Sequence, residues 1–133
     1  MVEENKMQGC KITLTTSVDG KETQIVRKGS VSLSLSRAVV SYREENAFLT
    51  LIFEKESVKL ERRGDYSLSL LLKQGETCGG TLGFGGSVGD IRVYAHKIGY
   101  SIGKDSLLAS LHYDLIFGEE RQEMKLRLYV KTV

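Results

Sequence analysis

The chain predicts an all-β protein: an antiparallel, up-and-down, closed β-barrel of about eight to ten strands. Three observations lead there. From residue 11 to residue 131 apolar and polar residues alternate in short runs, the period of strands with one buried and one wet face. Gly, Asp, Asn or Lys-rich turns interrupt the runs about every eight to twelve residues. Proline is absent, and no helix-length apolar stripe competes with the alternation.

The elements follow in order. Lys11–Val18 is the first strand, ended by Asp19-Gly20, a pair suited to the two positive-φ positions of a type I′ turn. Thr23–Lys28 leads through Gly29 into Val31, Leu33 and Leu35, which alternate with Ser30, Ser32, Ser34 and Ser36. Those serines describe the solvated side of an antiparallel sheet. Ala38–Arg43 and Ala47–Glu54 flank the turn Glu44-Glu45-Asn46. Ser57–Arg62 puts Val58 and Leu60 on one face, and Arg63-Gly64-Asp65 turns into Tyr66–Leu72. Residues 77–86 read as a weaker, glycine-broken strand. Ile91–Ile98 should pair with Ser106–Phe117 across Gly103-Lys104-Asp105, and Gly118-Glu119-Glu120-Arg121 should turn into Glu123–Val130. Fully extended, Ser106–Phe117 would span roughly 40 Å at ~3.3 Å per residue, a length suited to a coiled, tilted barrel stave. The expected core includes Val93, Leu111, Tyr113, Leu115, Leu126 and Leu128.

At 133 residues and 14.8 kDa the chain reads as a single β-barrel domain over residues 1–133, with residues 1–10 either disordered or an edge strand. Nineteen basic and 17 acidic residues give a net charge of +2, spread along the chain with Arg62-Arg63 as the local cluster. A phosphate-tracking groove is not expected, so nucleic acid is excluded as a partner. The first six residues carry two carboxylates where a signal peptide needs basic residues, and no run is long enough to span a bilayer. The expectation is a cytoplasmic protein without membrane association, a monomer or homodimer. Cys10 and Cys78 are then free thiols, outside any C-x-x-C spacing.

Several motifs imitate chemistry. Gly79–Gly89 resembles a phosphate loop, but Gly83, Gly85 and Gly89 miss the G-x-G-x-x-G spacing and no helix follows. A bulged strand or a mobile flap at the barrel mouth are its two readings. Gly99–Ser106 lacks one residue of a P-loop and carries Asp105 in place of the hydroxyl. No Ser-His-acid grammar appears, and no cofactor is called for.

Two constellations survive as candidates. A short loop at Gly103-Lys104-Asp105 sets a register in which His96 faces His112 and Tyr94 faces Asp114. His96, His112 and Asp114 on one face are a candidate metal or acid–base set. In that register Lys97 would oppose Leu111, so it needs a bulge, placed near Gly99. Arg62 continues the phase of Val58 and Leu60, so its guanidinium points inward. It either snorkels at the barrel rim with a satisfied head, or anchors a ligand carboxylate. Arg62, Val58, Leu60 and Tyr113 form the candidate ligand-binding set.

The order of three short motifs, Arg62-x-Gly64, Gly89-Asp90-Ile91-Arg92-Val93 and Leu111-x-Tyr113-Asp114-Leu115, resembles the YwiB-like family of uncharacterised bacterial proteins, domain of unknown function 1934. The resemblance spans nearly the whole chain. It implies a calycin-like, lipocalin-like β-barrel and a cytoplasmic bacterial protein, and it supplies no catalytic residues. Three functions are consistent with these readings. The first is a small intracellular barrel with an interior pocket for an apolar or amphipathic ligand. The alternative is a protein–protein interaction module with a solid core. The third is a hydrolase or isomerase using the His96/His112 face.

Overall fold

A computed structural model describes residues 7–133. Ten antiparallel strands close into a barrel: β1 (Gln8–Val18), β2 (Lys21–Leu33), β3 (Arg37–Glu44), β4 (Ala47–Glu54), β5 (Ser57–Gly64), β6 (Tyr66–Lys73), β7 (Thr77–Phe84), β8 (Ser87–Ile102), β9 (Ser106–Phe117) and β10 (Glu120–Thr132). Each strand pairs with its sequence neighbour, and β1 pairs with β10 to seal the barrel. Parallel contact is confined to an isolated bridge between Gln74 and Ala95. Closure leaves none of the ten strands with an unpaired edge along its whole length.

Local chemistry explains the turns. Asp19 and Gly20 take φ of 49° and 86°, the left-handed pair of a two-residue hairpin. Gly85 and Gly86 do the same at 57° and 84°, so the glycine-rich segment is a regular β7–β8 hairpin with continuous register from Thr77↔Tyr94 to Phe84↔Ser87. Gly64 serves a different need. A Cβ there would lie 2.0 Å from the Asn46 carbonyl oxygen, so only glycine lets β5 approach the β3–β4 turn.

Inward residues alternate with outward ones along every strand. Ile12, Val31, Val40, Leu51, Phe53, Val58, Leu70, Leu72, Ile91, Leu107, Leu111 and Leu128 are among the fully buried side chains. They belong to one continuous core cluster with Val93, Tyr113, Leu115 and Leu126, the residues that the alternation predicted. The nine turns that connect the strands sit at two rims. One rim holds the turns at 19–20, 45–46, 65, 85–86 and 118–119; the other holds those at 34–36, 55–56, 74–76 and 103–105.

Boundaries differ from the sequence expectation in four places. β1 begins at Gln8, so residues 8–10 are paired strand: Gln8 and Gly9 bond β2, and Cys10 pairs on both sides. Met7 precedes the strand, and residues 1–6 lie outside the described residues. β2 is one unbroken strand ending at Leu33, and Leu35 is not a strand residue; it sits fully exposed in the β2–β3 turn. β8 is longer at both ends than Ile91–Ile98. The β8–β9 bulge lies at His96, between Ala95 and Lys97, not near Gly99. Ala95 pairs with Tyr113, Lys97 with His112 and Ile98 with Leu111. The extra residue keeps Ile91, Val93 and Ala95 inward and then turns Ile98, Tyr100 and Ile102 inward as well.

Candidate functional site

Arg62 occupies the inward phase of β5 near the rim bearing the 65 turn. Its side chain is 12% exposed. One guanidinium nitrogen donates to the Tyr66 carbonyl at 2.7 Å, and another meets Asp65 Oδ1 at 2.8 Å. The Arg62 guanidinium holds the Asp65 carboxyl below the usual carboxylate range. The guanidinium carbon also lies 3.7 Å over the centre of the Tyr66 ring, a cation–π geometry. Two of its nitrogens and one face of the cation are thus engaged by its own hairpin. Val58, Leu60 and Tyr113 are buried members of the core. Burial pushes the Tyr113 phenol up to about 12, and burial together with Glu44 raises Tyr42 further. The cavities of about 250 to 890 Å³ open on the outer surface or at the rims. The one that touches Arg62, about 250 Å³, is an open surface dimple shared with Glu61, Ser67 and Thr81.

The histidine face is assembled by β8, β9 and β10. The bulge places the His96 ring 4.4 Å from the His112 ring, stacked at 27°, with Tyr94 edge-on to His96. His96 Nε2 is 3.0 Å from Asp114 Oδ2, while His112 Nε2 is 3.0 Å from Glu123 Oε2. Arg121 donates to the same Asp114 oxygen at 3.2 Å. Asp114, 12% exposed on its side chain, is therefore satisfied from two sides, as a buried carboxylate must be. The structure brings His96, His112 and Asp114 together, but each imidazole addresses a different carboxylate. Among the described residues no group of three His, Cys, Asp or Glu side chains is arranged to hold a metal ion.

The outer face of β2, β1, β10, β9 and β8 carries a third feature. A groove of about 710 Å³ runs across it, lined by Thr13, Thr15, Gln24, Ser110, Arg127 and Tyr129 among others. Short side chains make its floor, and Gly99 leaves open space where a side chain would stand. Val26, Leu108 and Tyr129 are 52%, 56% and 44% exposed, and register puts them in one row with Thr13: Val26↔Thr13↔Tyr129↔Leu108. Nothing local in the sequence marks this row. Its apolar members come from three strands at residues 26, 108 and 129, with Thr13 of a fourth between them, and only barrel closure aligns them.

No protein-family model matches this chain, and no curated relative matches it. Among solved structures, the ywiB protein from Bacillus subtilis is similar, with a TM-score of 0.81 at 12% identity over 96% of this chain and 93% of that one. At that identity the likeness shows a shared barrel fold. Among the described residues no helix is long and apolar enough to cross a membrane.

Proposed function

We propose that this chain is a rigid interaction module, a YwiB-like barrel of calycin-like form acting in the cytoplasm, whose interior is filled by its own side chains and whose partner binds the outer groove. The observation that carries this reading is the groove of about 710 Å³ beside an exposed Val26–Tyr129–Leu108 row. Singly exposed apolar residues are ordinary, but a row beside a groove with Tyr and Arg on its walls has the composition of binding hot spots. The ligand-pocket alternative loses support because Arg62 is held by Asp65 and Tyr66, so a carboxylate ligand would have to displace an existing pair. A small amphipathic ligand would instead fit the cleft of about 890 Å³ at the opposite rim, lined by Lys55, Lys73 and Tyr100.

Native mass spectrometry of protein purified from its own host separates the two. The interaction module predicts complexes with macromolecular mass that dissociate to the bare chain. A stoichiometric small molecule retained on the monomer would favour the ligand reading instead.

A further inference from the structure

We propose that the outer face bordering the groove takes an acidic polypeptide segment in extended conformation, its carboxylates over a row of three lysines and its apolar side chains over Val26, Tyr129 and Leu108, at the edge of the groove. The proposal rests on the interaction-module reading and adds the chemistry of the partner.

Lys11 lies in register with Lys28 on one side and Lys131 on the other. All three are exposed on the outer face, on strands about 4.8 Å apart. Like charges directly opposite one another destabilise a sheet. Among the described residues none of the three joins an ion pair. A molecule of net charge +2 thus aligns three cations that nothing described neutralises. The next row inward along the strands is the apolar one, and the row beyond it holds Gln24, Thr15, Arg127 and Ser110. An extended chain lying between the lysine row and the apolar row would direct alternate side chains to each. The complementary segment therefore alternates acidic and apolar residues.

Other occupants fit less well. A phosphate backbone tracks an extended basic groove, whereas the groove's own charges, Glu22 and Arg127, pair with each other at 3.6 Å. Tyr129 is the single aromatic ring of the row, a meagre platform for stacked bases. A twofold contact between two copies centred on the lysines would set like charge against like.

The test is fluorescence anisotropy with a labelled peptide of alternating Glu and Leu, compared with Lys–Leu and Glu–Ser peptides and with oligothymidylate. The Glu–Leu peptide should bind best, losing about tenfold or more in affinity between about 50 and 300 mM salt. Lys28→Glu sets a carboxylate opposite Lys11, so it should weaken that binding by about tenfold or more while raising the Tm. A variant that gains stability as it loses affinity cannot owe the loss to unfolding. Gly99→Val narrows the groove that the apolar row borders, at a position with open space around it, and should weaken binding several-fold with the fold intact. If Glu–Leu and Lys–Leu peptides bind alike and Gly99→Val weakens both, the groove reading stands and the acidic partner is overturned. Oligothymidylate binding more tightly than the Glu–Leu peptide, or Lys28→Glu leaving the affinity unchanged, also overturns it. If no peptide binds, the acidic segment is overturned, while the interaction-module reading is decided by the native mass spectrum.

Discussion

At Arg62 the guanidinium is engaged by residues three and four positions later, Asp65 and Tyr66. The inward phase of this arginine was legible from Val58 and Leu60; its partner was not, because alternation says nothing about which rim carboxylate a guanidinium will reach. Arg62→Met keeps the packed stem and loses the hydrogen bond to the Tyr66 carbonyl. It should lower stability by about 1–2 kcal/mol, read from urea denaturation. Tyr113 sets a second expectation. Its folded-state value of about 12 lies above the ordinary phenol value of about 10, so folding favours the protonated form. That contribution is fully present below about pH 10 and is lost as pH rises through about 12. Stability should fall across this alkaline window, and Tyr113→Phe should flatten the fall, measured by denaturation at a series of pH values.

Among the elements, the strands were readable because period two is written into each of them, whereas the bulge was not. Lys97 opposite Leu111 required an irregularity somewhere, yet no Pro or turn residue marks His96 as the extra residue. Its place is set by neighbours far along the chain: Gln74 Oε1 accepts from the Ile98 amide at 2.9 Å, and Gly75 donates to the Ala95 carbonyl at 2.7 Å. The parity around the bulge has a sharp consequence. Deleting His96 leaves Ala95 inward, Lys97 outward and Ile98 inward, an unbroken alternation. Deleting Tyr94 instead turns one part of β8 inside out. The first deletion should fold with a modest loss of Tm and the second should not fold, as circular dichroism would show. On β10, Leu126 is inward and buried, and Leu126→Ala should cost about 2–5 kcal/mol. A change below about 1 kcal/mol would mean that the cavity collapses almost completely.

For the whole molecule, a meander was the natural reading of so many short connections, but which surface would matter was hidden. Lys11, Lys28 and Lys131 look evenly dispersed in the sequence and become a row only when β10 closes on β1. The same closure builds the groove. The seam also links the two ends of the described chain, since the Val133 amide donates to the Gly9 carbonyl at 3.1 Å and the Thr132 amide to Asp105. Chains cut after Phe117 would lack β10 and leave both β1 and β9 with bare edges. They should sediment as aggregates, and supplying Glu120–Thr132 as a peptide should rescue solubility. The seam bears on biogenesis too. As the nascent chain leaves the ribosome, nine strands can pair in order, but the earliest must wait for the tenth. Throughout that interval a growing sheet shows two open margins to the crowded cell, so the hazard of mispairing is concentrated in the moments before translation of β10 is done.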